Sequence, residues 1–158
     1  MANIDTLRNL YSGDFTVTER PTPVAGDMRI GWGQSLLLLL LASSRSQKCS
    51  LQKVHFLAHL SRTAASRQLT RDVLRRAKEP KDISIRVEPW INRAAAFAIA
   101  NGYVSSNGKQ FQLTESGKKA AAALQKEGVL AAEFDFLQTV GKLATEQVVE
   151  HIMKMEDF

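Results

Sequence analysis

The stretch GYVSSNGKQFQLT, residues Gly102–Thr114, decides the fold of this chain. An Asn-Gly pair between two short β-prone segments is a strong local hairpin signal, because both residues accept the positive φ angles of a type I′ turn. With a two-residue turn at Asn107-Gly108, Val104 is expected to lie opposite Phe111, and Leu113 shares their side. The sequence therefore predicts a small β-hairpin with one apolar face.

A helix is predicted directly before this hairpin, over residues 89–101. Pro89 suits the first turn of a helix, since the N–H that proline lacks would have no partner there. Gly102 supplies the left-handed residue with which many helices end. Further upstream, the alternation of apolar and polar residues in Ile83–Val87 predicts a short strand.

Three more helices are predicted upstream, over about Trp32 to Ser43, Leu51 to Arg62 and Ser66 to Ala77. Ser50 is the expected N-cap of the second. The run Leu36–Leu41 covers every face of the first, because six residues turn through more than a full circle. That helix is therefore expected either to be central to the fold or to lie against a partner.

Two helical stretches are predicted after the hairpin. Thr114 should cap the first, which runs to about Glu127. Gly128 separates it from a last region over residues 129–155, which Gly141 is expected to break in two. The apolar residues of this region could form a seam between two copies of the chain or pack on the chain's own core. They are Val129, Leu130, Phe134, Leu137, Val140, Leu143, Val148, Ile152 and Met155.

The predicted order of elements is three helices, a strand, a helix, a two-stranded hairpin and a helix. This is the order of a winged helix with an inserted third, basic helix, so the expected fold class is mainly α with a small β-hairpin. We expect an N-terminal arm over residues 1–30, a winged-helix domain over 31–127 and a C-terminal helical region over 128–158.

The composition of the chain indicates the class of protein and the cellular compartment to expect. Of its 158 residues, 44% are hydrophobic and 23% are charged, which suits a packed core. The longest apolar run, Leu36–Ala42, is far short of the roughly 20 residues that cross a bilayer. No secretory signal is visible, and the single cysteine, Cys49, fits a reducing compartment. We therefore expect a soluble cytoplasmic protein.

Charge is strongly segregated along the chain, whose net charge is +5. Residues 62–81 hold seven cations and two carboxylates, whereas residues 127–158 hold seven carboxylates and two cations. The basic side chains of the third helix could touch phosphates without reading bases, or dock on an acidic partner surface. Helical spacing places Arg67, Arg71, Arg75 and Lys78 on one outer stripe of that helix, at i, i+4, i+8 and i+11. The candidate contact residues of this basic stripe are Arg67, Arg71, Arg75, Arg76 and Lys78.

The helix over residues 89–101 occupies the position that enters the major groove in winged-helix DNA readers. Only Asn92, Arg93 and Asn101 could contact a base edge, whereas readout needs several polar side chains on one face. The remaining positions are mostly apolar, which favours contact with protein over sequence-specific contact with DNA. The residues predicted to contact a partner protein are Trp90, Ile91 and Phe97.

Patterns for catalysis or metal binding are weak. His55 and His59 have the i, i+4 spacing of two zinc ligands, but Phe56 stands where a metalloprotease motif has glutamate. Cys49 precedes a helix and has no evident base. The segment Gly31–Gly33 lacks the third glycine of a dinucleotide-binding loop. We predict no enzyme, and no catalytic, metal-binding or cofactor-binding residues.

Several short motifs together resemble one known family. They are Arg29–Gln34 before the leucine run, Leu51–Leu57, Ile83–Pro89, Asn92–Ala94 and Ala98–Val104. With the hairpin, they look like the small middle component of bacterial three-component ABC/SMC-type ATPase systems, of which Lamassu antiphage defence is the best-known kind. The resemblance covers roughly residues 29–125.

The resemblance implies a non-catalytic adaptor subunit. In that family the small subunit accompanies a long coiled-coil ATPase and an effector, often a nuclease. The expected partners are therefore an SMC/ABC-type ATPase, an effector protein and, through non-specific phosphate contacts, DNA; neither a membrane nor a small-molecule substrate is expected. A housekeeping role beside chromosome-organising ATPases stays open. The alternative is a winged-helix transcriptional regulator that dimerises through its C-terminal helices.

Overall fold

The computed structural model describes residues 26–76, 80, 83, 85 and 87–156. This part is mainly helical and contains a small three-stranded antiparallel sheet. The helices are α1 Gly26–Ser43, α2 Leu51–Ser61, α3 Ala64–Leu74, α4 Pro89–Ala100, α5 Glu115–Lys126, α6 Ala131–Val140 and α7 Glu146–Glu156. The strands are β1 Lys48–Ser50, β2 Val104–Ser106 and β3 Gln110–Leu113.

Helix α1 is the centre of the fold. No residue of Leu36–Leu41 is more than 4% exposed, and helices α2, α4, α5 and α6 all pack around α1. Full burial of a leucine side chain contributes roughly 1.5–3 kcal/mol, so this run is a major source of stability. The central placement predicted from the leucine run is confirmed, and other elements of the same chain cover every face.

The start of α1 differs from the prediction. The helix begins at Gly26, six residues before Trp32. Residues 26–30 are therefore helical and not part of an arm, while residues 1–25 of the predicted arm lie outside the described part of the chain. Hydrophobic periodicity underestimates this helix because its first turns carry few large apolar residues.

A close approach between α1 and α4 explains the glycine at position 33. A Cβ atom there would lie 3.1 Å from the Cβ of Ala94 and 3.2 Å from a ring carbon of Trp90. Beside this contact, the rings of Trp32 and Trp90 pack with their centroids 5.0 Å apart. Gly33 thus serves helix packing, since a larger residue would push the two helices apart.

The hairpin forms with a register that differs from the prediction. Val104 lies opposite Leu113, and Phe111 pairs with Ser106. The Oδ1 atom of Asn107 accepts hydrogen bonds from the N–H groups of Lys109 and Gln110, at 3.0 and 2.9 Å, which widens the turn. Because the register moves by two residues, the apolar side chains keep their common face as predicted.

Strand β1, Lys48–Ser50, forms where the sequence predicted no strand. Strand β1 pairs with β3, so the sheet order is β1-β3-β2. The strand predicted over 83–87 is wrong for its described residues, since Ile83, Ile85 and Val87 lie in no strand. With β1 on one edge of β3 and β2 on the other, that segment has no free edge of β3 to join. Ile83 is instead buried in the core.

The C-terminal helices α6 and α7 pack on the same core as α1 and α2. Leu137, Val140 and Ile152 are buried there, and Gly141 follows the end of α6. Thr145 accepts a hydrogen bond from the N–H of Val148, at 3.3 Å, at the start of α7. These three residues of the predicted seam between two copies therefore belong to the core of the chain itself. No described helix combines the length and the apolar character needed to cross a bilayer.

Candidate interaction surfaces

Two of the predicted basic contact residues are engaged inside the chain. Arg67 donates to the carbonyl oxygen of Ser61 at 2.7 Å and lies 3.6 Å from a carboxylate oxygen of Glu133. Arg71 lies 3.2 Å from a carboxylate oxygen of Asp135, and its guanidinium carbon is 5.6 Å from the ring centroid of Phe136. The contacts with Glu133, Asp135 and Phe136 hold α3 against α6, whereas the bond to Ser61 joins α3 to the end of α2. The predicted stripe is therefore not an open cationic surface at its first two positions.

The next two residues of the stripe are open. Arg75 and Arg76 are exposed at the end of α3, where Arg76 has a positive φ of 59°. Neither forms an ion pair with a described residue, whereas Lys78 lies outside the described part of the chain. A cationic contact surface at this end of α3 is therefore smaller than the sequence predicted.

The three predicted partner contacts on α4 have different environments. Ile91 is fully buried in the core, so its prediction as a partner contact is wrong. Trp90 is partly buried against Trp32, and its indole Nε1 donates to Glu88 at 3.1 Å. Phe97 is 47% exposed. Of the three, only Phe97 is thus exposed to a partner.

The outward side of α4 is small and apolar at its centre. The inward positions are Ile91, Ala94, Ala95 and Ala98. The outward positions, which we name the α4 outer face, are Asn92, Arg93, Ala96, Phe97, Ile99 and Ala100. Ile99, 41% exposed, was missed in the sequence prediction. Helical spacing gave no signal for its exposure, because Ile99 continues the i, i+3, i+4, i+7, i+8 pattern of the inward residues.

A carboxylate at the start of α4 connects it to α2. Glu88 accepts from Arg62 at 2.7 Å, and its Oε1 lies 3.0 Å from Nδ1 of His59. Its other oxygen accepts from the indole of Trp90. Burial by itself would raise the pKa of Glu88, but the hydrogen bonds and charges of His59 and Arg62 outweigh it and lower that pKa. The cluster fixes the orientation of α4.

The two histidines of α2 have separate partners. His55 is buried, with its Nε2 3.1 Å from Oδ1 of Asn92, whereas His59 faces Glu88. Burial lowers the pKa of His55, opposed by the hydrogen bond with Asn92 and by the charge of Glu88. In the described ranges, no three His, Cys, Asp or Glu side chains come together as a possible metal site. The two histidines therefore have different partners, and both connect α2 to residues at the start of α4.

Cys49 is a core residue of β1. It is 1% exposed, and burial raises its pKa to about 12, despite opposing effects of a hydrogen bond with Ser44 and the charge of Lys53. A thiol nucleophile needs an accessible thiolate. The environment of Cys49 provides neither access nor ionisation near neutral pH.

Comparison of the chain with models of protein families, with curated proteins and with solved structures gave no match. The functional assignment therefore depends on the surfaces described above. Among the regions predicted from the sequence, the α4 outer face and the exposed arginines after α3 are the ones with side chains open to a partner.

Proposed function

We propose that the chain is a non-catalytic, cytoplasmic winged-helix adaptor that binds a coiled-coil SMC/ABC-type ATPase. It couples this ATPase to an effector, a nuclease, in a DNA-associated antiphage defence complex. The order α1–β1–α2–α3–α4–β2–β3–α5, with β1 paired to β3, supports the winged-helix part. In a winged-helix fold with this order, α3 is the inserted helix and α4 corresponds to the recognition helix.

The α4 outer face is the observation that carries this proposal. Phe97 and Ile99 are 47% and 41% exposed there. They lie at the two edges of the face, since two residues turn through about 200° of helix, and the small side chains of Ala96 and Ala100 lie between them. Exposed apolar side chains on the outward side of a helix are typical of contact with another helix or an apolar groove. Small residues at the centre allow a partner helix to approach closely, which suits a coiled coil.

The same face is poorly equipped to read bases. Asn92 is engaged with His55, with Oδ1 and Nε2 3.1 Å apart, and Arg93 is the single cation among the six residues of the face. Direct readout in the major groove depends on several hydrogen-bonding side chains that reach base edges. A protein partner therefore suits this surface better than a specific DNA sequence.

Coexpression of this chain with an SMC-type ATPase found among its neighbouring genes tests the proposal. We expect a stoichiometric complex in size-exclusion chromatography. The double substitution Phe97→Ser and Ile99→Ser should weaken it at least about tenfold, because truncation of an interface anchor in an apolar contact costs about 1 kcal/mol or more. Absence of a complex with the unsubstituted chain would reject the adaptor function.

A matched control uses two exposed leucines elsewhere in the chain. Leu51 and Leu143 are 42% and 46% exposed and lie outside α4. The double substitution Leu51→Ser and Leu143→Ser removes similar apolar surface and should leave the complex intact. Equal loss in both variants would place the contact elsewhere.

The alternative, a transcriptional regulator that dimerises through its C-terminal helices, has less support. Leu137, Val140 and Ile152 of the expected seam are buried in the chain's own core. Val129 and Leu143 remain exposed, at 36% and 46%. Protection of one specific promoter sequence by the purified chain would favour this alternative.

A further inference from the structure

A polar groove lies between the end of α1, strand β1 and the connection from α6 to α7. It consists of two adjoining cavities of about 660 and 510 Å³, which share Arg45 and Lys142 in their walls. Lys48 and Lys53 also line it, and Glu146 is its single acidic lining residue within the described part of the chain. We name this feature the β1 groove. It shares no residue with the α4 outer face.

The charges of the β1 groove are weakly compensated. Arg45, Lys48 and Lys142 are exposed, and none forms an ion pair within the ranges that the structure describes. Glu146 is turned to β1, where its carboxylate accepts from both the N–H and the hydroxyl group of Ser50. Four cations thus face one carboxylate, and that carboxylate already has two donors.

A buried lysine adds to this positive potential. Lys53 is only 4% exposed, and its ammonium group donates to the carbonyl oxygen of Gly141 at 3.2 Å. An ammonium group has three N–H donors, and this bond uses one. A charge in low-dielectric surroundings acts more strongly on a nearby anion than a charge in water. The groove therefore suits a polyanion.

The backbone of the groove's rim is held in an uncommon conformation. Ser46 and Gln47, which join Arg45 to Lys48, have φ angles of 57° and 56°. Left-handed conformations of non-glycine residues cost on the order of 1–2 kcal/mol each. The surrounding structure maintains this bend, which places the two flanking cations on the same groove.

The residue types around the groove distinguish among anionic partners. Apart from its cations and Glu146, serine, threonine and glutamine dominate the lining. No leucine, isoleucine, valine, methionine or aromatic side chain of the described residues lines it. A protein interface normally has an apolar core, whereas phosphate oxygens are bound by Arg, Lys, Ser, Thr and Gln side chains.

We propose that the β1 groove binds the sugar-phosphate backbone of nucleic acid without reading its bases. The cations replace counterions along the backbone, and the hydroxyl groups of Ser46 and Thr145 and the glutamine amides donate to phosphate oxygens. The hydroxyl groups of Ser43 and Ser44 are used inside α1, where they donate to the carbonyl oxygens of Leu39 and Leu40. This inference does not depend on the adaptor function, because the two surfaces share no residue. It also differs from the basic stripe predicted on α3, two of whose arginines are engaged by α6.

Fluorescence anisotropy with a labelled 20-base-pair duplex, measured over a series of salt concentrations, tests the inference. The triple substitution Arg45→Gln, Lys48→Gln and Lys142→Gln should lower affinity at least about tenfold at low salt. It should also reduce the slope of log affinity against log salt by about 2.7, since each lost phosphate contact contributes about 0.9. The single substitutions should each reduce the slope by about one. Absence of binding by the unsubstituted chain at low salt would overturn the inference.

The matched control is the triple substitution Arg29→Gln, Lys119→Gln and Lys126→Gln. It removes one arginine and two lysines, all exposed and outside the groove, and so gives the same change in net charge. We expect it to keep most of the affinity. Equal loss in both triple variants would show a general charge effect and would overturn the inference.

Two further outcomes would also overturn it. A variant with Arg75→Gln and Arg76→Gln that loses more affinity for the duplex than the groove variant would place the contact at the end of α3. Tighter binding of polyglutamate than of the duplex at equal charge would identify an acidic protein as the ligand of the groove. Unchanged circular dichroism of the groove variants would show that they are folded.

Discussion

Arg71 of α3 is paired with Asp135 of α6, with 3.2 Å between a guanidinium nitrogen and a carboxylate oxygen. The pair joins the basic segment of the chain to its acidic C-terminal region, and the neighbouring Arg67 approaches Glu133 in the same way. Part of the charge segregation along the sequence is therefore explained by contacts within the chain.

Truncation of Arg71 should cost more stability than truncation of its partner. The side chain of Arg71 is 22% exposed and lies over Phe136, whereas that of Asp135 is 77% exposed. We expect Arg71→Ala to lower the free energy of unfolding by about 1–2 kcal/mol, and Asp135→Ala by about 0.5 kcal/mol. Urea denaturation of both single variants and the double variant measures the coupling energy between Arg71 and Asp135, which we expect to be about 0.2–1 kcal/mol. Equal costs for the two truncations would contradict a role for Phe136.

Glu88 should contribute stability that disappears in acid. Its pKa is lowered in the folded chain from an ordinary value of 4.5, so the folded state favours the carboxylate. The contribution is complete above pH 4.5 and is lost as the pH falls through the folded pKa. Glu88→Gln should lower the free energy of unfolding by about 1–3 kcal/mol at pH 7, and the difference should shrink towards pH 3. An exposed control, Glu127→Gln, should change it by less than about 0.5 kcal/mol at either pH.

His55 should give a second pH dependence, at higher pH. Its pKa is lowered from 6.5, so the unfolded chain binds the proton more readily than the folded one. Stability is therefore full above pH 6.5 and decreases as the pH falls, by at most about 1.4 kcal/mol per pH unit for one proton. Denaturation between pH 7.5 and 5.5 should show this loss in the unsubstituted chain and a smaller one in His55→Gln. The control His151→Gln, at an exposed histidine, should lose as much stability between these pH values as the unsubstituted chain. If the loss of stability disappears in this control, the pH dependence comes from His151 and not from His55.

Local chemistry made most helix boundaries predictable from the sequence. The N-caps Ser50 and Thr114 accept from the N–H groups of Lys53 and Gly117, as their positions before apolar runs indicate. Strand β1 has no comparable local signal, because it is a strand only through its pairing with β3, about 60 residues away. Pairing over such a distance depends on the tertiary fold.

The surfaces were less predictable than the helices for the same reason. Helical spacing placed Arg67 and Arg71 on one outer stripe, but nothing local to α3 indicates that α6 covers that side. On α4, periodicity alone left Ile91 and Ile99 indistinguishable in character, and only the packing on α1 separates the buried residue from the exposed one.

Cys49 should resist thiol reagents while the chain is folded. Its pKa of about 12, against an ordinary 9.0, lowers the thiolate fraction at pH 8 about 1000-fold, and the sulfur is buried. Labelling by iodoacetamide should therefore be slow in buffer and fast in guanidinium chloride. A Cys49→Ala chain that carries Ser105→Cys on the exposed side of β2 provides the accessible control. Native Cys49 that reacts as fast as this control would contradict the buried environment.

The motif Leu-Thr-x-x-Gly at the end of the hairpin has a steric basis that substitution can test. The hydroxyl of Thr114 donates to the carbonyl oxygen of Gly102 and accepts from the N–H of Gly117, which draws α5 against the hairpin. As a result, a Cβ atom on Gly117 would overlap with the carbonyl oxygen of Tyr103. The backbone would have to move to admit any side chain there.

Gly117→Ala should therefore lower the free energy of unfolding by about 3 kcal/mol or more, the upper end for an overpacked site. Gly31→Ala is the matched control, since Gly31 also lies in a helix but has no neighbouring atom within 4 Å of the added Cβ. That control should raise the free energy of unfolding by about 0.5–1 kcal/mol, because alanine restricts the unfolded chain and favours helix. Thermal and urea denaturation of the two variants measure the contrast. Equal effects at both positions would show that the contact between Gly117 and Tyr103 is not tight.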